Sequence, residues 1–179
     1  MKKALAVLAT SAILASGAGA ASLRTARTES TAEEALVRLP PAAKAGQTVF
    51  YGHVRSLERK GGRWQLRFDP AWWLGGVAAE HAAVEDGVLS PGEPVPNDYY
   101  IVEEGHRLLT FVVAPNARVT VLTRPNIVAT RIPVSELAQI VRGKNPKHRR
   151  LMEPKAGFWI VVGSRYPNAV LSLDQQYQP

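Results

Sequence analysis

The chain predicts a mainly β fold: a small closed or partly closed β-barrel, OB-like or SH3-like, carrying one or two short helical insertions. Three observations predict it. About seven segments beyond residue 47 are rich in β-branched and aromatic residues. The clearest alternates Trp64, Leu66 and Phe68 with Arg63, Gln65, Arg67 and Asp69, the period of a half-buried strand. Glycine, proline and asparagine punctuate these segments at short intervals, as turns require. The 179 residues include no cysteine, so the fold rests on a packed core alone, and closing a sheet removes its exposed edges. The same absence excludes thiol catalysis, iron–sulfur clusters and cysteine-ligated zinc.

Residues 1–20 have the pattern of an export signal. Lys2 and Lys3 form a positive start, residues 4–15 are mostly apolar, and Ala18-Gly19-Ala20 offers the small side chains that signal peptidase accepts. Cleavage is expected after Ala20, giving a secreted or periplasmic protein. Thr10, Ser11 and Ser16 interrupt the apolar run, which falls short of the ~20 residues of a spanning helix. No transmembrane segment is expected after cleavage. The mature chain would keep 20 of the 22 basic residues against 15 acidic ones, a net charge of +5. That excess attracts anions at low salt.

Residues 21–47, rich in Ala, Thr, Arg and Glu, read as a flexible leader before a single domain at 48–179. Within that domain residues 49–59 and 63–69 form a hairpin around Lys60-Gly61-Gly62. Asp69-Pro70 suits a helix start, with Asp as N-cap and Pro at the first position. The alanine-rich run that follows closes at Asp86-Gly87, and Gly75-Gly76 bends it. Residues 90–98 hold three prolines and form a stiff loop. Strands follow at 99–104, 108–113 and 117–123, with turns at Gly105 and Pro115-Asn116. Residues 135–142 fit a short helix with Leu137, Ile140 and Val141 on one stripe and Gly143 as its stop. Strands at 158–163 and 170–177, joined by Tyr166-Pro167-Asn168, complete the barrel.

Phe68-Asp69-Pro70-Ala71-Trp72-Trp73-Leu74-Gly75-Gly76, Glu85-Asp86-Gly87, the loop Gly92-Glu93-Pro94-Val95-Pro96-Asn97-Asp98-Tyr99-Tyr100-Ile101 and the closing Gln175-Gln176-Tyr177-Gln178-Pro179 give residues 48–179 a resemblance to a set of uncharacterised secreted bacterial proteins. The resemblance implies export and a small mainly β domain. It brings no activity and no catalytic residue.

Two regions are candidate binding sites. Lys144, Lys147, His148, Arg149, Arg150 and Lys155 crowd a stretch that Pro146 and Pro154 keep from becoming helical. Several cations on one exposed loop would grip phosphate or carboxylate groups, arginine by bidentate bonds and lysine as a point charge. No aromatic is interleaved there, which argues against base stacking and a nucleic-acid partner. Trp72 and Trp73, with Asp98 and Tyr100 nearby in the pattern, form the second region. On a helix the two rings would lie about 100° apart, so one would be exposed for stacking or docking. The oxygen-rich loop with Asp86, Glu93, Asn97 and Asp98 lacks the ligand spacing of a calcium loop, so no metal and no cofactor are expected.

Nucleophile motifs are missing, and His53, His81, His106 and His148 show no metal-ligand spacing. A carboxylate pair among Asp69, Asp86 and Asp98 would require them to meet in space. The sequence therefore favours a secreted, non-catalytic binding or scaffold domain whose partner is an anionic cell-wall polymer. A protein-interaction module or inhibitor acting on an envelope protein is the alternative, and a hydrolase trails both.

Overall fold

The computed structural model describes residues 40–103, 105, 108–153, 156–164 and 169–178. The predicted signal, most of the leader, His106, Lys155 and the 166–168 turn lie outside them. Chain order runs β1 (Gln47–Lys60), β2 (Arg63–Gly75), α1 (Gly76–Glu85), β3 (Tyr99–Val102), β4 (Leu109–Thr123), β5 (Val128–Arg131), α2 (Val134–Val141), β6 (Phe158–Gly163) and β7 (Ala169–Gln175).

Five of these strands close into a barrel. β1 pairs with β2, β2 with β4, β4 with β7, β7 with β6, and β6 returns to β1. Every pairing is antiparallel except β4 with β7, which is parallel. Counted in chain order, the barrel strands run 1-2-3-5-4, with α2 between the third and fourth. This connectivity is the OB form of the expected barrel. Leu66, Phe68, Phe111, Val119, Ile160 and Leu173 fill the interior, and α2 adds Leu137, Ala138 and Ile140 to the same core.

The expected helix start at Asp69-Pro70 is incorrect, because β2 continues through both residues to Gly75. Its first half pairs with β4 (Trp64 opposite Val113 to Phe68 opposite Leu109), and its last four residues pair with β3. On that side Pro70 falls between the two ladders, where a missing donor costs least, while on the other side it lies opposite Gly52 of β1. The helix begins only at Gly76, whose φ of 56° turns the chain out of the strand. α1 then seats Ala79 and Ala83 in full burial. The turn expected at Pro115-Asn116 is also absent, since β4 runs through it as one strand. Its register against β7 jumps from Val113–Val170 to Arg118–Ser172, leaving residues 114–117 as a bulge. Short β5, which the sequence pattern did not reveal, pairs with the end of β4. The Pro/Gly-rich loop ends in a 3-10 turn, Pro96–Asp98, ahead of β3.

A second apolar cluster lies outside the barrel. Tyr51, Ala71 and Trp159 are buried there with Val49, Trp73 and Ile101 against them. Alternation along β1, β2 and β6 sends these side chains outward while their neighbours Phe50, Phe68 and Ile160 point inward. Trp73 stacks on Tyr99 at 4.1 Å between ring centroids, and Tyr51 lies 5.0 Å from both Trp73 and Trp159. The C-terminal segment fastens over them: Trp159 Nε1 donates to Gln176 Oε1 at 2.8 Å, and Gln178 Nε2 donates to the Tyr51 hydroxyl at 2.8 Å.

Candidate functional site

The tip of the β1–β2 hairpin is cationic, because Arg59 and Lys60 precede Gly61-Gly62 and Arg63 follows. Both glycines have positive φ, 55° and 77°, which lets the two strands turn back within two residues. Trp64 comes next, in register with Arg59 across the hairpin, and the Arg59 guanidinium lies over its ring at 5.8 Å. Facing this tip is the β4 bulge. Between them opens a cleft of about 600 Å³, lined by Arg59, Gly62, Arg63 and Trp64, by residues 112–116, and by Ala169 and Leu171 of β7.

The chemistry of the cleft follows from that lining. Among the described residues its lining is mainly apolar, includes Arg59, Arg63 and the Asn116 amide, and has no carboxylate, imidazole or hydroxyl side chain. It can hold an anion and an apolar group together. Among the described residues no carboxylate forms an ion pair with Arg59 or Arg63. Arg59 has one long hydrogen bond, 3.5 Å to the Gly62 carbonyl. Sequence reading missed this site, although Arg55, Arg59, Lys60, Arg63 and Arg67 flank Trp64 within a short stretch.

The basic loop is arranged differently from its sequence expectation. Glu136 of α2 is only 3% exposed, and the loop folds back to meet it: Arg149 Nε donates to Oε1 at 2.5 Å, and Lys147 Nζ lies 3.1 Å from Oε2. Arg149 holds the Glu136 carboxyl below its ordinary range, and Glu136 in turn raises Arg149. Asn145 fixes the turn, accepting from the Arg149 amide at 2.9 Å and donating to its carbonyl at 2.6 Å. Two of the predicted cations are thus counter-ions of a buried acid, while Lys144, His148 and Arg150 stay exposed.

Trp72 and Trp73 occupy successive strand positions rather than helical ones, so they face opposite sides of the sheet. Trp73 belongs to the outer aromatic cluster, and Trp72 is 57% exposed. The pairing of Leu74 with Tyr100 puts Tyr100 on the Trp72 side, where its hydroxyl donates to Asp86 Oδ2 at 3.0 Å. That bond raises the Tyr100 hydroxyl above the usual phenol range. Burial does the same to Tyr51, helped by Glu103 and Tyr99. Asp98 is exposed in the 3-10 turn, on the opposite side of Tyr99 in sequence from Tyr100.

Three further acidic groups are engaged separately from one another. Asp69 Oδ2 accepts from Arg55 Nε at 2.8 Å and from its terminal nitrogen at 2.5 Å. His53 Nε2 lies 2.7 Å from Glu103 Oε1. Glu93 Oε2 accepts from the Ser90 amide at 2.7 Å. Among the described residues no three His, Asp or Glu side chains come together as a metal site, and no helix is long and apolar enough to cross a membrane. Comparison of the chain with protein-family models, with curated proteins and with solved structures finds no match.

Proposed function

We propose that this chain is an exported, non-catalytic binding domain that takes an anionic polymer of the cell envelope at the cleft between the β1–β2 turn and the β4 bulge. The observation that carries the reading is a mainly apolar cavity whose lining includes Arg59 and Arg63, neither of them ion-paired among the described residues. Arginine is suited to such a lining, since its planar fork pairs with phosphate or carboxylate by two parallel bonds. OB barrels take their ligands on this side, at the face of the second and third strands and the adjoining loops. That point is an analogy of fold, and the arginines carry the chemical argument. Export rests on the residue 1–20 pattern.

The test is retention on an immobilised uronate or glycerol-phosphate polymer across a salt gradient. The Arg59→Ala/Arg63→Ala double variant should elute at lower salt than the parent, and Lys144→Ala/Arg150→Ala should elute close to it. Equal elution of parent and Arg59/Arg63 variant refutes the cleft as the site. The protein-interaction reading draws on one different observation, the 57% exposure of Trp72. It expects one stoichiometric protein partner, lost on Trp72→Ala and insensitive to the cleft arginines.

A further inference from the structure

Charge alone does not account for the shape of the cleft. A polyanion held only by its charges needs cations spread along a surface and no cavity. Here a single space of about 600 Å³ is lined by Arg59 and Arg63 together with Trp64, Val112, Ala114, Pro115 and Leu171, with Asn116 as its one amide among the described residues. Water in such a space finds few polar partners, whereas hydrocarbon gains from leaving solvent. The volume is that of a pocket for one discrete molecule or chain end. The guanidinium of Arg59, already over Trp64, marks where an anionic head group would be met.

We infer that the cleft binds the acyl end of a single-chain anionic amphiphile, with the hydrocarbon against Trp64 and Leu171 and the head group at Arg59, with Arg63 in the same lining. This rests on the reading of the cleft as the ligand site, and it narrows the ligand to the lipid-bearing end of an envelope component. Two independent features set the specificity. The arginines require a negative charge, and the apolar lining rewards chain length. Neither half satisfies the site alone, so inorganic phosphate and neutral alkyl glycosides of matched chain length are poor ligands.

Calorimetry on the exported form of the protein with hexyl, octyl and decyl phosphate, each below its micelle concentration, tests this. Affinity should rise about fourfold per added methylene while the chain still fits, the value expected for full burial of each CH₂. Arg59→Ala/Arg63→Ala should weaken every member by about tenfold or more without altering the chain-length trend, since charge-assisted pairs are lost. Ala114→Asp, which puts a carboxylate in the cleft lining, should flatten the trend, and Lys144→Ala, on the basic loop outside the cleft, should preserve it. Thermal melts of each variant confirm that it is folded.

Binding of dextran sulfate that is lost in the double arginine variant, with no chain-length trend among the alkyl phosphates, overturns the amphiphile inference and leaves the polyanion reading standing. A chain-length trend that survives both the arginine changes and Ala114→Asp puts the amphiphile elsewhere and also overturns it. Absence of binding by every probe removes both readings.

Discussion

Burying a carboxylate costs several kcal/mol unless cations and hydrogen bonds replace its water, and at Glu136 the 144–150 loop supplies them. Glu136→Gln leaves Arg149 without its charge partner and should lower stability by about 3 kcal/mol. Lys147→Ala should cost under about 1 kcal/mol, because the lysine is 57% exposed and such pairs are worth little. Chemical denaturation checks both values. Because Arg149 depresses the folded carboxyl below its ordinary 4.5, the contribution of Glu136 is complete above that pH. It is lost as pH falls through the lower folded value. Parent and Glu136→Gln melts should therefore converge on acidification below about pH 4.5, and parallel pH profiles would refute the linkage. Gly157 raises a second residue-level point. A Cβ there would fall onto the Tyr51 ring and hydroxyl, so Gly157→Ala should destabilise by about 1–3 kcal/mol through overpacking, read from the shift in the denaturation midpoint.

At the scale of elements, β2 serves two structures with one alternation. Its inward residues Leu66 and Phe68 build the barrel, and its outward residues Ala71 and Trp73 build the external aromatic cluster. Trp73→Ala should thus cost about 2–4 kcal/mol, near the range for truncating a packed aromatic. Trp72→Ala, one residue away, should stay within about 0.5 kcal/mol. Equal losses from both would contradict the opposed facing, and acrylamide should quench less fluorescence in Trp72→Ala than in the parent. The end of β7 is a second junction. Gln175 Oε1 accepts from the Leu122 amide at 2.8 Å, and its Nε2 donates to the Glu153 carbonyl at 2.8 Å. Gln175→Ala leaves both backbone groups without that partner and should cost about 1–3 kcal/mol, measured by thermal or urea unfolding.

The whole molecule is held by long-range pairing: β1 meets β2 locally, but closure depends on β4 lying parallel to β7 and on β6 returning to β1. Amides of the five barrel strands should exchange most slowly, through global unfolding, and those of the edge strands β3 and β5 faster. Hydrogen exchange with residue resolution checks this, and equal protection of β3 would show that it folds as part of the barrel. Local pattern made the β1–β2 hairpin, β6, α2 and the end of α1 at Gly87 legible, because each is written in alternation, helical periodicity or a glycine stop. It failed at Asp69-Pro70, a favourable local helix start, because pairing of Trp72 and Trp73 with the distant β3 outweighs a cap and a first-turn proline. The basic loop was visible as charge, but its engagement by Glu136 depends on how the loop folds back on α2. The cleft was invisible because its walls come from the β1–β2 turn, the β4 bulge and β7, which only barrel closure brings together. The sequence by itself determined a cysteine-free, mainly β barrel with short helices, since period and punctuation are local properties. Which cations are engaged, which tryptophan meets solvent and where a cavity opens were decided by tertiary structure alone, because each depends on partners far apart in the chain.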